Sequence, residues 1–305
     1  MTSTLEERTA STAHAPRRER PAAAERSSSR LWTTVVMVAM IIATIYFLLP
    51  VYWLIVASTK STSELFSTPG LWFAQMNLGE NLAALSSYDG GIFWRWVANS
   101  VLYSVIGSAL TALVCAITGY ALAVYQFRGR KLIIGAVLGS MLVPGTVLAQ
   151  PTYVLLVGMG LNNTYAGVLL PALAYPFGVL LCYVYIQASV PIELVEAARI
   201  DGAGELRIFA SIAFKLMTTG LVTVLLFAFL GSWNSYMLPL LVLTDQELMP
   251  LTVGLTGWNQ SSITIPGLQI LTVVGSLVSV VPIVIVFLSL QRFWRSGLAS
   301  GAVRF

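Results

Sequence analysis

Six long apolar runs divide the chain, near residues 31–57, 97–124, 132–158, 164–186, 217–240 and 269–291, and none contains Asp, Glu, Lys, Arg or His. Each is long enough to cross the roughly 30 Å hydrocarbon layer as a helix rising about 1.5 Å per residue. The pattern predicts an all-α polytopic membrane protein with six transmembrane helices. Gly160, Asn162 and Asn163 separate the third and fourth runs by no more than a tight turn, which predicts a hairpin. Pro144, Pro171, Pro176 and Pro282 fall within runs. They predict kinks with freed carbonyls, either ordinary packing kinks or parts of a moving gate. The longer connections, about 58–96 and 241–268, hold Pro69, Trp72, Trp258 and Pro266, residues suited to interfacial caps.

Outside the runs the pattern is polar. Residues 1–30 are rich in Ala, Ser, Arg and Glu without apolar periodicity and predict a disordered cytoplasmic tail. They do not read as a secretory signal, because the run behind them is too long and lacks a small-residue cleavage site. The expected organisation is therefore a tail (1–30), a membrane domain (31–296) and a short C-terminal tail (297–305). Composition agrees: 57% of the 305 residues are hydrophobic and 10% charged, against roughly a quarter charged in soluble domains.

The net charge of +4 matters less than where it lies. If the N-terminus is inside, every Lys and Arg except Lys60 and Arg95 falls on the cytoplasmic side: six in the tail, then Arg128, Arg130 and Lys131, then Arg199, Arg207 and Lys215, then Arg292, Arg295 and Arg304. That asymmetry predicts a multi-pass protein of the cell (inner) membrane with both termini cytoplasmic, and leaves no excess of charge for a nucleic-acid partner to explain. Cys115 and Cys182 sit inside apolar runs without metal-ligand spacing, and the single histidine, His14, lies in the tail. No metal site and no catalytic constellation is expected.

The most informative polar segment is the loop 190–216. Pro191 suits the start of a short helix with Glu193 near its positive end. Ala197 and Ala198 keep one face thin, and Gly202 permits a sharp change of direction. A second helix then carries Leu206, Phe209 and Ile212 at helical spacing, predicting one apolar face. By these residues alone the loop is either an amphipathic segment lying on the membrane or a docking surface for another protein.

Within it, Glu196-Ala197-Ala198-x-x-Asp201-Gly202-Ala203 resembles the EAA loop of ATP-binding-cassette importer permeases, in which two coupling helices seat in a groove of the ATPase. The carbohydrate-uptake branch, the maltose-type second permease, is similar at further points: Leu49 to Lys60, Asn99-Ser100, Phe127 to Lys131, Trp233-Asn234 with Pro239-Leu240, and Gln291-Arg292-Phe293. The resemblance runs from about Leu31 to the C-terminus. It implies a type I importer permease fold in which Glu196, Ala197, Ala198, Asp201, Gly202, Ala203 and Phe209 couple to the ATPase. It implies also that the ending with Gly297, Gly301 and Ala302 reaches toward the ATPase dimer. The implied partners are a second permease, as a heterodimer, two ATPase subunits that bind ATP and Mg, and an extracytoplasmic sugar-binding protein that is in some cases a lipoprotein. The chain departs from the family at Lys215, where a proline is usual, and near Thr219. Without those breaks the second coupling helix is expected to run more continuously into the fifth span.

No GxxxxGK[ST] occurs, so the chain has no P-loop for ATP phosphates, and no cofactor of its own is expected. Absence of ionisable groups from the runs disfavours an ion-coupled carrier. Asn234, Trp233, Tyr236 and Gln150 offer amides and aromatic faces suited to a polyhydroxyl solute, although polar residues in spans often bond only to neighbouring helices. Asn99, near an end of the second run, is expected to be structural. The reading is a sugar-importer permease. Its alternatives are a permease of the same superfamily for another solute and a carrier independent of ATP.

Overall fold

The computed structural model describes residues 24–301, and among them the regular structure is helical with no strand. The chain forms two units, residues up to Val51 and residues from Tyr52 onward. Helix α1 (Ala24–Ser58) begins inside the segment 1–30, ahead of the apolar run. Ala24, Glu25 and Arg26 favour helix and let the apolar run propagate backwards. The first unit's apolar side chains, such as Tyr46 and Phe47, are exposed, as suits a segment whose solvent is lipid.

In the second unit, α2 (Thr62–Ser67) and α3 (Leu78–Ser87) occupy the first long connection. A capping box starts α2: the Glu64 amide donates to Ser61 Oγ while the Glu64 carboxylate accepts from the Ser61 amide. Lys60 is buried and donates from Nζ to the Pro69 carbonyl at 2.8 Å. A corner at Asp89, Gly90 and Gly91, all left-handed, opens into α4 (Ile92–Val124). This 33-residue helix is the spine of the unit. Its inward face is lined by small residues, among them Ser104, Gly107, Ser108, Ala112, Ala116 and Gly119. A Cβ on Gly119 would lie 2.6 Å from Cys182 Cβ and 2.8 Å from the Tyr183 nitrogen, so helices approach here nearly backbone to backbone.

The third run is two helices, α5 (Arg130–Ser140) and α6 (Gly145–Gly158), bent by 106° at Pro144, and not one continuous span. The fourth, α7 (Tyr165–Ala172) and α8 (Pro176–Ser189), bends by 41°. Beyond it come α9 (Ile192–Ile200) and α10 (Glu205–Ile208), a π-helical turn over Phe209–Ala213, and α11 (Phe214–Leu216). The fifth run forms α12 (Thr218–Trp233) and a separate short α13 (Met237–Val242), so its span ends at Trp233 and not at 240. Then follow α14 (Leu251–Ser261) and α15 (Leu268–Gly301), which carries the helix past the expected tail boundary at 297. Counting each bent pair as one span gives six.

The expected continuity into the fifth span does not occur. The chain turns by 82° between Glu205–Leu216 and Thr218–Trp233 without a proline. Met217 at the corner has φ −89° and ψ 6°, and its side chain is fully buried in the cluster around Cys115, Cys182 and Ile186. Thr218 Oγ1 donates to the Lys215 carbonyl at 2.7 Å and the Phe214 carbonyl at 3.2 Å, serving acceptors that the break frees. A buried anchor and a hydroxyl cap thus replace the proline, while Lys215 is exposed.

At the start of α4 the segment 246–251 is pinned by buried polar groups. Asn99 Nδ2 donates to the carbonyls of Glu247 (2.7 Å) and Met249 (3.0 Å), and its Oδ1 accepts from the Tyr165 hydroxyl at 3.0 Å. Trp96 Nε1 donates to the Gln246 carbonyl, Tyr103 Oη to that of Leu248, and the Leu251 amide to Ser100 Oγ. Asn99 is structural, as expected.

Candidate functional site

The loop between α8 and α12 sits at the other end of α4. Pro191 caps α9 with φ −61°, the angle its ring imposes. The helix ends in a glycine cap: the Gly202 amide donates to the Arg199 carbonyl and the Ala203 amide to the Ala198 carbonyl, each at 3.0 Å. Gly202 has φ +80°, a backbone that costs an L-residue roughly 1–2 kcal/mol. Nothing lies within 4 Å of where its Cβ would stand. The glycine is required by the turn and not by crowding.

Two faces result. Inward, Val195, Ile208 and Ala213 are fully buried and Phe209 is 9% exposed. The Phe209 ring packs on Tyr120 at 5.3 Å and Phe214 at 6.0 Å. Outward, Glu196, Ala197, Asp201 and Gly202 are exposed together, with Ile200 at 87% and Leu206 at 82%. Ala198 and Ala203 lie half-buried against the core. Two expectations change. Phe209 is a brace beneath the loop and not part of its surface. Leu206 does not share a face with Phe209, because Ile208 takes the inward position of the four-residue α10.

A charged bracket closes the corner. Arg199 Nε donates to Glu205 Oε1 at 2.6 Å, and Tyr125 Oη donates to Glu205 Oε2. The Arg199 guanidinium also lies 5.6 Å from the centre of the Tyr125 ring. The hydrogen bond from Arg199, seconded by that from Tyr125, holds the Glu205 carboxyl below its ordinary value. Beside the bracket, a groove of about 720 Å³ is lined by Tyr125, Arg130, Glu193, Glu196 and Arg199 among others. Sequence reading missed the bracket, since nothing in the spacing of Tyr125 and Glu205 brings them together.

The residues expected along a solute path take separate roles. Trp233 is 3% exposed and stacks on Phe229 at 5.8 Å, so its ring is packing. Asn234 is exposed and donates to the Leu230 carbonyl at 2.8 Å, ending α12. Tyr236 lines a small cavity of about 340 Å³ with Trp96, Gln246 and Trp258. Gln150 is exposed on α6. Gly297 and Gly301 lie in the last turns of α15, and Ala302 falls outside the described residues.

Residues 21–297 match the family described as the binding-protein-dependent transport system inner membrane component. The chain is 32% identical to the arabinooligosaccharides transport system permease of Bacillus subtilis, over 85% of this chain and 91% of that protein. It is 31% identical to a diacetylchitobiose uptake system permease of Streptomyces coelicolor, over 93% of each. Among solved structures, a chain of a bacterial ABC transporter involved in the import of the acidic polysaccharide alginate superimposes with a TM-score of 0.75. It covers 91% of this chain and 99% of that one at 22% identity, a likeness of fold alone.

Proposed function

The chain belongs to the family of binding-protein-dependent transport system inner membrane components, and from that premise we propose that it is a permease subunit of an ATP-driven oligosaccharide importer. It is a non-catalytic, membrane-spanning ABC permease. The observation that carries the coupling assignment is the outward face around Gly202, where Ile200 and Leu206 stand exposed on a loop rigidly braced from below. Apolar side chains so presented at a helix corner are anchors for a partner's pocket. That partner is the ATPase, two copies of which bind ATP and Mg and draw the loops together. A second, homologous permease completes the pore, and an extracytoplasmic binding protein of the lipoprotein kind delivers the solute.

We read the loop and both termini as cytoplasmic, with Gly297, Gly301 and Ala302 directed to the ATPase, a reading that the distribution of basic residues supports. The sugar assignment draws on relatives whose names state arabinooligosaccharides and diacetylchitobiose, and on spans that offer hydroxyls, amides and aromatic rings without charge. The test is purification of the tagged chain in mild detergent, with mass spectrometry of what accompanies it and ATPase assays across solutes. Recovery of an ATPase, a second permease and a binding protein, with hydrolysis stimulated by a neutral oligosaccharide, is expected. Stimulation by peptides or phosphate alone would move the solute class. Uptake persisting after deletion of the ATPase would overturn the importer reading.

A further inference from the structure

Three interruptions of the helical chain meet at one place. The junctions α5–α6, α7–α8 and α12–α13 contribute Gly145, then Ala172 and Tyr175, then Ser232 and Ser235, to the lining of a single cavity of about 620 Å³. That volume lies within the roughly 300–1,000 Å³ of ordinary small-molecule sites. Non-helical backbone at membrane depth is tolerated only where protein buries it or where it lines water. Some of the freed acceptors are served from within. Thr111 Oγ1 donates to the Ala172 carbonyl at 3.0 Å, an acceptor four residues before Pro176, which has no N–H to offer. Thr252 Oγ1 likewise donates to the Ser235 carbonyl at 2.6 Å.

Thr152 and Ser232 differ. Both line the cavity and both are partly exposed. Among the described residues neither hydroxyl has a hydrogen-bond partner. Several helical Ser and Thr elsewhere in the chain bond back one turn, as Thr256 does to Thr252 and Thr272 to Leu268. Two free hydroxyls at membrane depth call for water or a hydroxylated solute. Gly107 and Gly231 keep the space open, the Tyr175 ring supplies an apolar wall, and no charged residue lines the cavity.

We propose that this cavity, and not the side chains of Trp233, Asn234 and Tyr236, is the surface on which the transported solute meets this chain. Thr152 and Ser232 are its hydrogen-bonding contacts, and the class admitted is neutral and polyhydroxylated. The inference rests on the importer reading. An anionic solute would find no compensating charge here, and a lipid acyl chain would leave both hydroxyls unpaired.

The experiment uses the assembled complex in nanodiscs, carrying Thr152→Cys or Ser232→Cys, in the ATP-free and the vanadate-trapped states. Each variant is treated with a charged, water-soluble methanethiosulfonate and, separately, with a membrane-soluble maleimide. In at least one state, the charged reagent is expected to label both positions at least about tenfold faster than the buried native Cys115 and Cys182, because only a hydrated thiol forms the reactive thiolate. Arabinotriose, diacetylchitobiose or raffinose, presented with the binding protein, is expected to slow that labelling about threefold or more through competing hydrogen bonds. Labelling by the maleimide alone in both states would make the cavity a lipid site and overturn the proposal. Labelling that no neutral sugar slows, or that only glycerol 3-phosphate slows, would overturn it as well. These failures arise in a complex that still contains the ATPase, whereas failure of the importer reading appears as a chain that purifies without one.

Discussion

The two ends of α4 hold their neighbouring segments in opposite ways. At its start, the buried residues Asn99, Ser100, Tyr103 and Trp96 fasten residues 246–251 through hydrogen bonds made wholly within the chain. At its end, the 190–216 loop is fastened on one side only. Val195, Ile208, Phe209 and Met217 root it in the core, while Ile200 and Leu206 project outward. A segment whose polar groups and apolar groups are all satisfied internally has no need of a partner. One that spends residues on a rigid corner and then leaves its apolar tips bare is built to meet something. The contrast separates the structural end of α4 from the end proposed to couple, and it can be broken from either side.

The largest effect is expected from Gly202→Asp. Its left-handed backbone and added charge should lower solute uptake about tenfold or more while leaving thermal unfolding within roughly 1–2 kcal/mol of the parent, the cost of the turn alone. Normal uptake by this variant would sink the coupling assignment. At the other end, Asn99→Leu leaves two carbonyls and the Tyr165 hydroxyl without their partner. A loss of about 2–3 kcal/mol is expected in unfolding of the purified complex, with uptake per folded molecule nearly unchanged. Gly254→Ala drives a Cβ into the Trp96 ring beneath the same segment and should cost about 1–3 kcal/mol by overpacking, read in the same way.

The smallest effect concerns the bracket. Glu205→Gln removes an ion pair whose side chains are 34% and 45% exposed, so stability should fall by no more than about 1 kcal/mol. Because Arg199 holds the Glu205 carboxyl below its ordinary value, the pair contributes fully above the ordinary carboxylate range and is lost as pH falls through the lowered value. Unfolding followed as a function of pH should therefore show parent and variant converging in acid. A difference that persists or grows there would contradict the pairing.

The loop was legible because its chemistry is local: Gly202 must follow a helix end, and Pro191 must begin one. The spans were legible because apolar length is a property of a single run. What escaped reading depends on contacts between distant segments. The 82° turn at Met217 follows from a buried anchor and a threonine cap, and a proline search cannot find either. Phe209 and Leu206 part company because Ile208 takes the inward place, which helical spacing alone cannot decide. Trp233, chosen for its aromatic face, uses that face on Phe229. The free hydroxyls of Thr152 and Ser232 carried no signal until three helix breaks were brought to one cavity.

Amide hydrogen exchange, compared between the purified permease pair and the same pair with its ATPase bound, tests the contrast most directly. Protection of residues 192–206 should appear only when the ATPase is present, while residues 246–251 should be equally protected in both. Residues 192–206 unchanged on ATPase binding, with new protection elsewhere on the chain, would contradict the account.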